Sequence, residues 1–578
     1  MRKLTRTPLI IILIAGFLIR IWDIGSVPPG LYWDEMDVGY QAYSILKTGR
    51  DYFGNSPVLV IQSFADFRAP LLIYLTIPFV AFFGLSSISV RLPAVLFGVI
   101  SVFLIYLLSK ILFKSEKISL TAAVLTAFTP WSIQFSRMAF EVNLLLTLFL
   151  AGLICFFKGL SNSKYWTYSG VLFGLSVFAY NTAKLLTPLI IIALVLIFIR
   201  RKNINKSLLL GGIIVLGFVM ISLHTTFFQG GGQRFSEIAV WTDPQLISNI
   251  DRLRQESNIS YTDERGTGMS PRNLDKLFYN KITFIFDKIS RNYLKAISTD
   301  FLFISGDPNL RHSPQGIGEF FRIEFITVVF GLLWLMIVRK KSSIFILAWI
   351  VLAPIPAVVT REGGTHATRL FLLFPVLTII SSAGLFYIIE LTSKKINKLV
   401  VGGIALVWVF SVIFYLNYYF GSYKLESAKF FQYGFSEAVE KAISNHNTYK
   451  YVIIDDRNDS ALMNFLFVSK FDPSNFQSNI KNLSFEFGSN NFGKFNGDRL
   501  ENFYFMKPGR RDWYLAFEKN LINDDYLLIV SSAQLEEQTP QKLQGRLTRN
   551  QKLLEVIYYK TGEPAFYIIE NKKPEVKL

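Results

Sequence analysis

Apolar runs of roughly 17–25 residues recur along this chain, and that recurrence limits what it can fold into. In hydrocarbon every backbone N–H and C=O must be satisfied within the segment, so such runs cross a bilayer as helices. Eleven can be placed, at 8–22, 89–113, 118–135, 142–159, 165–180, 184–200, 207–226, 321–338, 342–360, 367–391 and 399–420. Composition agrees: 51% of the residues are apolar and 15% aromatic, the latter roughly twice the share of a soluble domain. The sequence therefore predicts a polytopic α-helical membrane protein of about eleven spans.

The formal charge of +18 does not mark a nucleic-acid binder. Lys and Arg gather in short loops between apolar runs, at Lys110/Lys114/Lys117, Lys158/Lys164, Arg200/Arg201/Lys202/Lys206, Arg339/Lys340/Lys341 and Lys394/Lys395/Lys398. This is the positive-inside pattern, and it assigns those loops to the cytoplasm. Met1–Trp22 reads as an uncleaved first span with the N-terminus in the cytoplasm, because Arg20 closes the run and no small-residue cleavage site follows. The apolar stretch 70–83 is too short for a comfortable crossing and is interrupted by Pro78; it reads as an interfacial or re-entrant piece. Cys155 is the single cysteine, so no disulfide forms within the chain.

With that parity the other side of the membrane collects the irregular sequence. Large outer loops run over 23–88 and 227–320, and residues 421–578 form a soluble extracytoplasmic domain beyond a membrane domain of 1–420. Tyr451–Ile454, Tyr526–Val530 and Ala565–Ile569 read as strands and Ser436–Ser444 as a helix, giving a small α/β fold. The inferred location is the inner or plasma membrane.

The outer loops also hold the chemistry. Asp34, Glu35 and Asp37 directly follow Tyr32-Trp33, and interfacial aromatics would hold those carboxylates at headgroup depth. Asp66, Arg68, Arg91, Arg137, Glu141, Lys184, Arg361, His366 and Arg369 fall on the same side by the topology above. Acids and cations mixed near lipid are costly unless they pair or face a wet cavity. Together they suit a substrate that combines hydroxyls with a phosphate. Guanidinium forks match phosphate oxygens, and a carboxylate can take a proton from an attacking hydroxyl.

Each residue also has a plainer reading. Arg91 and Arg137 can snorkel from span ends. Glu141 stands i, i+4 from Arg137. Asp66 and Arg68 can form a local pair, Lys184 can be an interfacial lysine, and His366 can cap or pack. His224, His312, His366 and His446 show no metal-ligand spacing, so no metal site is expected.

Several stretches resemble the polytopic GT-C glycosyltransferases grouped as glycosyltransferase family 39, which includes the protein O-mannosyltransferases and the aminoarabinose–lipid A transferase-like enzymes. Trp33-Asp34-Glu35-Met36-Asp37-Val38-Gly39 resembles the family's aromatic-Asp-Glu-x-His-Phe-Gly motif. Asp66-Phe67-Arg68-Ala69-Pro70-Leu71 resembles Asp-x-His-Pro-Pro-Leu. Arg91-Leu92-Pro93, Ser136-Arg137 through Glu141, and Thr368-Arg369 through Pro375 are similar to its later elements.

The resemblance covers roughly residues 1–420. It implies a polyprenyl-phosphate-linked sugar as donor and an envelope acceptor (protein, lipid or polysaccharide), with transfer on the outer face and inversion at the anomeric carbon. Asp34 would act on the acceptor hydroxyl, with Glu35, Asp66 and Glu141 shaping the catalytic group. Arg68, Arg91 and Lys184 would hold the phosphate, and Arg137, His366 and Arg369 join them as candidate phosphate ligands. No cofactor is implied with certainty, and a divalent cation assisting the acids stays open. Asp37 and Arg68 stand where the motifs carry His, Ala69 where they carry Pro and Glu141 where they carry Asp, so the acceptor side departs from the family. The competing class, a flippase for a lipid-linked saccharide, would instead show ionisable residues deep within spans and matched broken helices in two halves.

Overall fold

The computed structural model describes residues 6–56, 59–64, 67–201, 204–228, 232–259, 273–455, 461–480, 499–506, 525–535 and 539–572. Each of the eleven apolar runs contains helix there. Among the described residues, six helices are long and apolar enough to cross a membrane, or up to seven if the pair Glu116–Phe128 and Pro130–Ser136, bent by 56° at Thr129, forms one span. Thr7–Ile21, Leu71–Phe83 and Ala183–Phe198 are shorter apolar helices. The chain is a multi-pass membrane protein. Leu71–Phe83 has 13 residues with Pro78 inside, and at about 1.5 Å per residue it reaches about 20 Å, short of the hydrocarbon thickness.

Contacts divide the chain into two units. The first comprises Met1–Gly16, Val99–Gln134 and Val142–Ile413. It is built on helix pairs that approach closely through small residues, as helices do where lipid removes the hydrophobic drive to associate. Arg322–Val338 and Phe374–Leu391 meet at Gly331 and Gly384. A Cβ on Gly384 would lie 1.8 Å from the Thr327 carbonyl oxygen, and one on Gly331 would lie 2.1 Å from that of Ile380. Aromatic rings fill the adjoining core. Trp349 lies against Phe149 at 5.5 Å between ring centroids and against Phe345 at 5.9 Å.

The second unit comprises Phe17–Gly98, Phe135–Glu141 and Phe414–Leu578. Its C-terminal part is a six-stranded mixed sheet with strand order 499–500, 503–506, 451–455, 526–531, 564–571, 551–558. The three central strands run parallel and the edge pairings are antiparallel. The three stretches read as strands from sequence all lie in this sheet, and the expected helix is Phe435–Asn445. Parallel strands are buried on both faces, which is why Tyr451–Ile454 and Tyr526–Val530 are continuous apolar runs rather than alternating ones.

The same unit contains the helix Trp33–Thr48, and C-terminal helices pack on it. The Tyr40 hydroxyl donates to the Phe471 carbonyl at 3.0 Å. Gln477 Nε2 donates to Thr48 Oγ1 at 2.9 Å and to the Asp51 carbonyl at 2.8 Å. Tyr40, Tyr52 and Phe64 form an aromatic cluster with Phe476. The C-terminal part thus braces the acidic helix, some four hundred residues earlier in sequence.

Candidate functional site

The three carboxylates of the first loop sit in the first turn and a half of Trp33–Thr48, where negative charge suits the helix dipole. Residues three apart share a helix face and adjacent residues do not. Asp34 and Asp37 therefore point one way and Glu35 another, and the two directions meet different cations.

Asp34 and Asp37 converge on Arg68, which ends the short ribbon Ile61–Gln62/Phe67–Arg68. Arg68 pairs with Asp34 through Nη2 and with Asp37 through Nε at 2.8 Å, and its Nη1 lies 3.7 Å from Glu141 Oε1. The guanidinium lies over the Trp33 ring, 5.6 Å from its centroid. Among these acids Asp34 is the most accessible, at 21% side-chain exposure, with Glu141 at 15% and Asp37 at 1%. One guanidinium thus serves three carboxylates, two of them within reach of solvent.

Asp37 Oδ1 also accepts from Tyr52 Oη at 2.6 Å and from Ser63 Oγ at 3.1 Å. Burial, with the Asp37 carboxylate beside it, pushes the Tyr52 phenol well above its ordinary range, so it stays a donor. Tyr52→Phe takes that donor from a buried carboxylate, which costs about 1–3 kcal/mol. The expected result is a lower melting temperature for the detergent-solubilised protein, while Ser63→Ala, which removes the longer bond, has a smaller effect.

Glu35 faces the other way and is closed off. Its two oxygens take a fork from Arg91, Nε to Oε1 and Nη2 to Oε2, both at 2.9 Å. They also accept the Ala139 N–H at 3.1 Å and the Tyr32 N–H at 3.3 Å. Arg91 spends its remaining donors on the carbonyls of Ile24 and Pro28, each at 3.0 Å, and of Gly30 at 2.6 Å. All five N–H groups of this fully buried side chain are engaged, and none is left for a phosphate.

Arg137 is used similarly. Its terminal nitrogens donate to the carbonyls of Ile19, Arg20 and Val27 at 2.7–2.9 Å, and it lies 4.9 Å from the Phe420 ring centroid. Glu141, for which a pair with Arg137 was the plainer reading, reaches toward Arg68. Arg91 and Arg137 thus both hold the 19–30 turn through its carbonyls. Asp66 lies outside the described residues.

The remaining candidates belong to the first unit. Lys184 donates to Thr226 Oγ1 at 3.0 Å. Arg369 Nη1 donates to Thr360 Oγ1 at 2.7 Å. His366 lies with its ring centroid 4.8 Å from that of His312, and His312 Nδ1 is 2.8 Å from Asp307 Oδ2. Spacing along the chain did not show this group, because its members come from two distant segments. The short polar run Gly306–His312 within a loop was the available sign.

The sequence model of the family described as dolichyl-phosphate-mannose-protein mannosyltransferase matches residues 68–226. No curated protein sequence matches the chain. Among solved structures, ArnT from Cupriavidus metallidurans in the apo state superposes with a TM-score of 0.53 at 11% identity, covering 99% of this chain and 98% of that one.

The chain has the GT-C glycosyltransferase fold.

The same ArnT bound to undecaprenyl phosphate gives a TM-score of 0.50 at 10% identity, covering 98% and 97%. The oligosaccharyltransferase from Archaeoglobus fulgidus gives 0.48 at 13% identity; the match covers 80% of this chain and 63% of that longer protein. The membrane part and the C-terminal sheet domain expected from sequence are both present, while the count of eleven crossings is not fixed by helix length and composition.

Proposed function

We propose that this chain is an integral membrane glycosyltransferase of the inner or plasma membrane. It moves a sugar from a polyprenyl-phosphate-linked donor to an envelope acceptor on the outer face, with inversion. The observation that carries this reading is the asymmetry of the acids in one turn of helix. Glu35 is sealed by Arg91, whereas Asp34 keeps a partly exposed carboxylate held in place by Arg68, whose guanidinium lies over the Trp33 ring.

That geometry suits direct displacement. The acceptor hydroxyl oxygen bonds to the anomeric carbon while the bond from that carbon to the phosphate oxygen breaks. The bonding pair leaves with the lipid phosphate, and the hydroxyl proton goes to Asp34. Arg68 is the guanidinium placed to meet charge developing on the leaving phosphate, and Asp37, Tyr52 and Ser63 hold Arg68 in register. Arg91, Arg137 and Glu35 are positioning residues that shape the loop. Three carboxylates around one guanidinium are also a donor set for a hard divalent cation, which Asp34 and Glu141 would hold and which would neutralise the approaching phosphate.

Two comparisons support the reading. The matched family model is named for a dolichyl-phosphate-mannose-dependent transferase, and the ArnT that shares the fold has been solved with undecaprenyl phosphate bound. The test is the mass of envelope glycans, lipids and proteins from cells with and without the gene. A sugar-sized increment that needs both the gene and an intact Arg68 supports the proposal. Unchanged envelope masses together with altered movement of lipid-linked saccharide across the membrane would point to the flippase instead.

A further inference from the structure

The first unit contains a cluster that the transfer chemistry does not use. Asp307 and His312 lie in the turn after the short helical segment Asp300–Ile304, and His366 lies in the separate turn that follows Ile355–Val358. We propose that Asp307, His312 and His366 form a binding site for one transition-metal ion, zinc by its donor set, which fastens these two turns together.

One ligand-capable atom from each residue lies within 4.8 Å of the others. Metal–ligand bonds of about 2.0–2.1 Å in a tetrahedral site place ligand atoms about 3.3 Å apart, a spacing between the 2.8 Å of the Asp307–His312 contact and the 4.8 Å that bounds the group. Two imidazole nitrogens and one carboxylate suit zinc, with water in the fourth position. Calcium and magnesium prefer a shell of oxygens.

The carboxylate is already oriented. Asp307 Oδ1 accepts the Asn309 N–H at 2.9 Å, and Oδ2 accepts the Ala367 N–H at 2.9 Å beside His312 Nδ1. Such outer hydrogen bonds are what fix metal ligands in direction. A plain Asp307–His312 hydrogen bond would need no third residue, yet the His366 ring is brought to 4.8 Å from the His312 ring at a tilt of 36° from another segment. Asp307 and His312 are buried while His366 is half-buried, which leaves an entry path on the His366 side.

The test uses full-length protein in detergent, purified without a polyhistidine tag, stripped with EDTA and dialysed against zinc. The expected result is about one zinc ion per chain. Cobalt should give the absorption bands of a tetrahedral centre, and zinc should raise the melting temperature. His366→Gln, whose side chain is half-buried, should melt like the EDTA-treated wild type and lose both the zinc and the zinc-dependent shift. Asp34→Asn should keep them. The proposal is overturned if the wild type holds no more zinc than His366→Gln, or if the ion is lost with Asp34→Asn and kept in His366→Gln. Neither result depends on sugar transfer, so failure here leaves the glycosyltransferase reading intact.

Discussion

Asp34→Asn should abolish sugar transfer while the protein still inserts and folds. General acid–base assistance contributes on the order of 10²–10⁴-fold, and transfer from a polyprenyl-phosphate donor should fall by at least that much. Asparagine has nearly the shape of aspartate but cannot accept the proton. Stability should change little, because the Asp34 side chain is partly exposed and Arg68 keeps Asp37 and Glu141 as partners. The measurement is turnover of purified variant and wild type at matched concentration, with melting curves taken alongside. Loss of turnover with an unchanged melt separates chemistry from folding. Transfer near the wild-type rate would remove Asp34 from its assigned role.

Arg91→Lys should do the opposite, damaging the fold before the chemistry. A lysine has three donors on a flexible stem, where the guanidinium offers five in a fixed fork. Arg91 uses all five, on Glu35 and on the carbonyls of Ile24, Pro28 and Gly30. Gly30 has φ +80°, a left-handed conformation suited to glycine, and a Cβ there would lie 2.6 Å from the Phe431 carbonyl oxygen, so that carbonyl cannot easily be moved to suit a new partner. Breaking a buried pair leaves an uncompensated charge and costs about 3–5 kcal/mol. The expected outcome is a large drop in melting temperature and poor recovery from the membrane. The phosphate-holding role expected from sequence alone predicts instead a normal melt with weakened donor binding.

The contrast between these two variants shows where sequence was informative. Apolar run length identified the helices because the bilayer allows few alternatives, and the strands at 451–455, 526–531 and 564–571 were readable because central strands are continuously apolar. The acidic stretch at 34–37 was legible as a candidate site from its residue types and its aromatic neighbours. The division of labour within it was not. Whether Glu35 faces Arg91 or Arg68 depends on helix phase, and that phase is set by a helix starting at Trp33 and braced by Phe476 and Gln477. Arg91 and Arg137 looked like ligand-binding cations because a sequence does not show which carbonyls a guanidinium will meet. The plainer reading of Glu141, a pair with its i, i+4 neighbour Arg137, came from local spacing, yet the side chain ends near Arg68 of the first loop. His312 and His366 showed no motif because two distant turns bring them together.

The most direct measurement of the central claim is the release of polyprenyl phosphate from a labelled polyprenyl-phosphate sugar by the purified protein, given an acceptor fraction from the envelope. The account predicts free lipid phosphate and labelled acceptor in equal amounts from the wild type, and neither from Asp34→Asn. A wild-type protein that leaves the donor intact, or moves it across a vesicle membrane without cleaving it, would contradict the account.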